Sequence, residues 1–389
     1  MKRPDPSPEL RLDWVRPFLD DLLRRWLAAT DAPNGLFYPH LDREWRRREG
    51  GHCTLVSQSR LIYTFCRACQ LNGDARYAEA ATRGLSSLEK HFRHADGGWI
   101  WSCEPDGRAR EVFFDSYGHA FVVLAFATAA SVLKRAAYRQ RALETWSWAK
   151  GHFRDRFGGL VRRLDGAEQP AAALRSQNPM MHTFEALLAL AAQADDAEVH
   201  RDALDIWTFL RQRLRGEGLP EWYDGEWRVL ETGERAGFDI GHQFEWAFLL
   251  SEADALGLGD GLLTPARGLL RFGLAKGYDS REGGIASPVG LDGRPRGARK
   301  GFWEQCEAIR ALARFAGRHG GRECAGPLAQ CVEFARARFE DPEFGGWYTA
   351  PPGTGAQVNL DKGSAWKLDY HVTNMCLELL RYESVTDDK

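Results

Sequence analysis

The segment GGWIWSCEPDG at residues 97–107 decides the fold, because the chain repeats it. Related segments begin at residue 34 (NGLFYPHLD), 158 (GGLVRRLDG), 219 (LPEWYDGEW), 283 (GGIASPVGLDG) and 345 (GGWYTAPPGTG). Successive starts lie 63, 61, 61, 64 and 62 residues apart. Self-similarity at a fixed period marks a repeat architecture with one structural unit per copy. Each copy joins turn formers to short aromatic or apolar runs and often closes on Asp-Gly, the chemistry of a tight hairpin or a long ordered loop.

Outward from each loop the apolar spacing becomes helical. Before the loops, residues 16–30, 75–92, 137–153, 197–214, 264–278 and 326–339 keep one polar face and predict outer, half-solvated helices. After them, residues 57–71, 117–130, 181–192, 242–256, 302–316 and 370–382 are more apolar and predict inner helices, buried on most sides. Each pair must bury its apolar face against neighbouring pairs until the ring closes. The pattern predicts an all-α (α/α)6 barrel of twelve helices in six outer/inner pairs. Residues 1–389 are expected to form a single domain with the loops at its active-site end.

Every inner helix then begins at the same end. The residues there are Arg60, Tyr117, His182 with Glu185, His242 with Glu245, Trp303 with Glu307, and His371 beside Tyr370. Charged and imidazole groups are costly to bury without a polar purpose, so this end is the expected functional one. HTFE at 182–185 and HQFE at 242–245 set imidazole and carboxylate three residues apart on one helix face. Each glutamate is therefore expected to hold its own histidine in one tautomer. Arg60 offers a fixed cationic fork to a sugar oxygen or an enediolate. Trp99, Trp101, Trp222, Trp303 and Trp347 lie in or just after the loops, suited either to stacking on pyranose rings or to plugging the barrel mouth.

Composition excludes other classes. Of 389 residues, 44% are hydrophobic and 27% charged, enough for a large core and contrary to disorder. A net charge of -2 and a pI near 6.6 provide no positive field for nucleic acid. The N-terminus lacks the apolar stretch of a signal peptide, and the run at 120–133 is too short to span a bilayer, so a cytoplasmic protein without a membrane partner is expected. Eight scattered cysteines read as small core residues, the C-x-x-C at Cys66 and Cys69 included. The di-iron pattern is Glu-x-x-His, the reverse of the order here, so no metal is expected. No phosphate-binding glycine motif occurs, and no cofactor is expected. Oligomeric state leaves no mark beyond monomer or homodimer.

Six segments carry a family resemblance: SQSRLIYTF at 57–65, NPMMHTFEALLAL at 178–190, GHQFEWAFLL at 241–250, FWEQCEAIRAL at 302–312, GGWY at 345–348 and KLDYHVTNMCLEL at 367–379. The chain resembles, over nearly its full length, the N-acylglucosamine 2-epimerase superfamily, which also contains cellobiose 2-epimerases, mannose isomerases and sulfoquinovose isomerase. GH-x-x-E followed by K-x-DYH is the distinctive combination. The resemblance implies an (α/α)6 barrel and proton transfer by His242 and His371. Arg60, Asn178, His182, Glu185, Glu245 and Trp303 then fall on positions that bind or orient the sugar, and Tyr117, from its place at an inner-helix start, is expected to line the same site.

A neutral imidazole, with an ordinary pKa near 6.5, can take and return a proton near neutral pH. The mechanism expected is ring opening helped by His242, itself oriented by Glu245, then removal of the C2 proton by His371. Arg60 stabilises the resulting cis-enediolate. The wording of the GHQFEW and HTFEA segments favours isomerisation of D-mannose to D-fructose, with D-lyxose and D-xylulose as a related pair. The alternative is a 2-epimerase acting on mannose and glucose, cellobiose or N-acylglucosamine. A glycoside hydrolase using acids such as Asp115, Glu221, Glu304 or Asp369 and a non-catalytic sugar-binding protein are further readings, neither of which the fold excludes.

Overall fold

The computed structural model describes residues 10–387, apart from 31, 33, 165–173 and 298. Among the described residues the chain forms the expected pairs: α1 (Val15–Thr30) with α2 (Leu55–Asn72), α3 (Ala75–Phe92) with α4 (Ser116–Leu133), and α5 (Ala136–Phe153) with α6 (Gln177–Ala191). They continue as α7 (Ala197–Arg211) with α8 (Ile240–Ala255), α9 (Leu263–Gly277) with α10 (Phe302–Arg318), and α11 (Ala325–Phe339) with α12 (Tyr370–Asp387). Each even-numbered helix packs against the next, and α12 packs against α2, so the inner ring closes. This is the predicted (α/α)6 barrel. α4 is long and apolar enough to cross a membrane, yet most of it is buried as a stave of the ring.

Local chemistry sets where the inner helices begin. The Thr54 hydroxyl accepts from Ser57 N while the Ser57 hydroxyl accepts from Thr54 N, a capping box at the start of α2. Asp115, Ser176 and Asp239 accept from the first-turn amides of α4, α6 and α8. Gly97, Gly158, Gly283 and Gly345 all have φ between +68° and +94°, which is why the repeat opens on glycine.

The loops do form turns, but much of their pairing is with each other. Cys53–Thr54 pairs with Ser102–Cys103, Phe114–Asp115 with Arg163–Leu164, Arg175–Ser176 with Trp222–Tyr223, and Gly237–Phe238 with Val289–Gly290. Each two-residue strand just before an inner helix is thereby tied to the following loop. Bridges such as Leu41↔Arg47 and Tyr223↔Val229 close hairpins within copies. Asp165-Gly166, the close of the third copy, lies outside the described residues.

Inner-helix glutamines hold this crown down. The Gln58 side chain accepts from Phe37 N and donates to Phe37 O, both at 2.8 Å. Gln243 clamps Leu219 in the same way at 2.8 and 2.9 Å, and Gln305 clamps Ile285 at 2.6 and 2.8 Å. A loop backbone buried at the barrel rim needs such partners, and the repeat supplies them at equivalent positions.

Candidate active site

The inner-helix N-termini open into a cavity of about 1200 Å³ under the loop crown. Its wall contains His242, His371, His182, Trp303 and Glu245, together with Arg60, Tyr117 and Asn178, so eight of the nine predicted site residues converge. Glu185 stands behind the wall. Its carboxylate accepts from the Tyr370 hydroxyl and lies 3.0 Å from His182 Nδ1. It holds His182, as its spacing predicts, and so orients an imidazole of the cavity wall.

A correction concerns His242. Its Nδ1 lies 2.7 Å from Oε2 of Glu221, not against Glu245. Glu221 is in turn fixed by donors from Ser176 at 2.8 Å and Gln177 at 2.7 Å. The i,i+3 spacing alone cannot choose between two carboxylates, and the loop brings Glu221 closer. His371 has the matching arrangement: Nδ1 is 2.6 Å from Glu307 Oε1, and Arg310 donates to Glu307 Oε2 at 3.1 Å. A carboxylate only accepts, so each Nδ1 carries hydrogen and each Nε2 is left for the cavity. The Trp303 ring packs against both, its centroid 4.9 Å from His242 and 5.7 Å from His371.

The two imidazoles are tuned in opposite directions. Burial disfavours a charged His242, but Glu221 and Asp239 outweigh it and raise its pKa to about 10. Burial dominates at His371, where Glu307 opposes it only in part, and the pKa falls below the ordinary 6.5. His182 is lowered by burial to about 4. At neutral pH the cavity therefore presents one imidazolium and two neutral imidazoles.

Arg60 donates to the Tyr117 hydroxyl at 2.6 Å and to Trp366 O at 3.0 Å, and its guanidinium sits 4.4 Å from the Phe121 ring centroid. It is a fixed cation at the wall rather than a rim salt bridge. Of the five tryptophans, Trp101, Trp222 and Trp303 line the cavity, while Trp99 and Trp347 are fully buried plugs. Sequence reasoning passed over Trp366, 56% exposed at the mouth, although it stands one residue before the recognised KLDYH segment.

Two donor sets among the described residues are dense enough to suggest a cation: His182, Glu185 and Glu245, and Glu245, Glu307 and His371. Neither fits one well. Each imidazole Nδ1 already faces a carboxylate, and Arg310 brings its own positive charge to 3.1 Å from Glu307 and 4.0 Å from Glu185. The acids considered for hydrolysis are also engaged. Asp115 caps α4, Glu221 holds His242, Glu304 pairs with Arg299 at 3.4 Å, and Asp369 is buried against Trp26 and Lys367.

The sequence profile of the N-acylglucosamine 2-epimerase family matches residues 35–375 of this chain. The chain belongs to that family. Membership places it among sugar isomerases and epimerases. Among curated relatives, the D-mannose isomerase of Marinomonas mediterranea is 27% identical over 84% of this chain and 86% of its own. The cellobiose 2-epimerase of Bacteroides fragilis is 23% identical over 92% and 95%. A crystal structure of a D-mannose isomerase superposes with a TM-score of 0.87 at 23% identity, covering 98% of this chain and all of that one, and shows the same fold.

Proposed function

We propose that the protein interconverts D-mannose and D-fructose by proton transfer between C2 and C1 through a cis-enediolate. The observation that carries this reading is the pair of carboxylate-held imidazoles that share contact with Trp303 in one cavity; their surroundings favour the charged form at His242 and the neutral form at His371. His242, as imidazolium, is suited to donate a proton to the ring oxygen as the C1–O5 bond breaks, and to take up the O1 hydroxyl proton as the C1=O1 carbonyl forms. His371, neutral with its Nε2 lone pair free, is suited to take the proton from C2. As that C–H bond breaks, its electron pair forms C1=C2 and the carbonyl pair moves to O1. Arg60 supplies fixed positive charge to the developing oxyanion. Passage of the O2 hydroxyl proton to O1, with return of the carried proton to C1 by the same imidazole on the same face, then gives fructose, so one imidazole serves both carbons.

Family membership supports the reaction class, and the mannose isomerase relative supports the choice of sugar. The test is a proton NMR time course with mannose in deuterium oxide, using His371→Ala as control. Fructose formed with deuterium incorporation, and lost in the variant, is the expected result. Glucose without fructose replaces the reading with a 2-epimerase.

A further inference from the structure

Glu245 is the anomaly of the site. It is fully buried on α8, lines the cavity, and neither carboxyl oxygen has a hydrogen-bond partner among the described residues. Glu185, Glu221 and Glu307 are each hydrogen-bonded. Glu185 takes hydrogen bonds from Tyr370 and His182, Glu221 from Ser176, Gln177 and His242, and Glu307 from His371 and Arg310. The cations are spent elsewhere too: Arg310 lies against Glu307 and Glu185, and Arg60 against Tyr117 and Trp366 O.

From α6, His182 Nδ1 approaches Glu245 Oε1 only to 4.0 Å and already faces Glu185. From α10 and α12, Glu307 and His371 offer ligand atoms within 4.8 Å of its carboxyl. His242, one turn earlier on α8, is turned to Glu221. An ionised Glu245 would be a third buried carboxylate beside Glu185 and Glu307 with no donor of its own, which costs far more than burying the neutral acid.

We propose that Glu245 is a neutral carboxylic acid in the resting enzyme, and that its O–H donates a hydrogen bond to the sugar oxygen that becomes negative when the C2 proton leaves. The acid keeps its proton throughout. It stabilises charge alongside Arg60, while His371 alone carries hydrogen between carbons. A buried carboxyl kept neutral so that it can donate is a known solution to enolate stabilisation. Burial and the charges of Glu307 and Glu185 act in the same direction, raising the Glu245 pKa well above the carboxylate range.

This role rests on the isomerase reading, but the protonation state can be tested without substrate. Difference infrared spectroscopy of the unliganded protein, wild type against Glu245→Gln, should show at neutral pH one buried carboxylic-acid C=O band that shifts in deuterium oxide and is absent from the variant. A carboxylate band lost in its place would overturn the proposal, whatever sugar the enzyme accepts. Kinetics then test the donor. Glu245→Gln keeps a neutral donor and should retain kcat/KM within about tenfold, while Glu245→Leu should lose about 10²–10³-fold, the cost of an oxyanion donor. Equal, large losses in both variants would mean that the carboxyl moves a proton or binds as an anion, and would also overturn it. So would activity that chelator removes and a divalent cation restores, which would make Glu245 a metal ligand.

Discussion

His242 and His371 are the same side chain placed in two electrostatic settings, and the difference is a matter of ångströms. Glu221 and Asp239 act together on His242, whereas His371 has Glu307 shared with Arg310. Activity should fall on the acid side as pH drops through the lowered pKa of His371, and on the alkaline side as pH rises through about 10 at His242. A kcat/KM profile checks both limbs. Glu221→Gln removes the main stabiliser of the imidazolium, so the alkaline limb should move down toward the ordinary value of 6.5. The same linkage acts on folding. A raised His242 pKa stabilises the fold fully below 6.5, and that contribution is lost as pH rises toward 10, so Glu221→Gln should flatten this part of the stability curve. His371→Ala should cost about 10²–10⁴-fold in turnover if it is the base, read directly from the rate of deuterium incorporation.

Between elements, two contacts position these residues. Gln243 satisfies both the N–H and the carbonyl of buried Leu219, two residues before Glu221 in the chain. Gln243→Leu should destabilise the protein by about 2–4 kcal/mol, since two buried backbone groups lose a partner, and should loosen the loop that carries Glu221. Thermal unfolding by circular dichroism measures the first effect and the alkaline limb of the rate profile the second. Gly241 governs the approach of α8 to α10. A Cβ there would meet ring atoms of Trp303 at 2.4 and 2.6 Å. Gly241→Ala must displace the indole that packs against both histidines. The expected loss is about a hundredfold in kcat/KM for only about 1–3 kcal/mol of stability.

Over the whole molecule, the ring closes where its ends meet. Asp369, just before α12, accepts from Trp26 of α1 at 2.8 Å and from Lys367 at 2.6 Å, with all three side chains buried. Asp369→Asn strands the buried Lys367 charge and should cost about 3–5 kcal/mol. If the barrel is stable only as a closed ring, hydrogen exchange should quicken in α6, across the ring, as well as in α1 and α12. Faster exchange confined to α1 and α12 would instead indicate pairs that fold as separate units.

The repeat, the twelve helices and the convergence of eight wall residues were legible in one sequence, because apolar periodicity and glycine-aromatic loops are local signals that six copies reinforce. Even the clamping glutamines stand at visible positions in SQSR, HQFE and WEQC. What the sequence could not rank were contacts between side chains far apart in the chain. Glu245 is three residues from His242 and Glu221 is 21 away, yet only Glu221 touches its ring. Glu185 has the same i,i+3 spacing and does hold His182. The motif admits both outcomes, and the choice is made by the loop that descends from the crown. Sequence fixes which groups reach the barrel mouth. Tertiary packing decides which carboxylate each imidazole meets, and therefore which histidine is charged and which is free to take a proton.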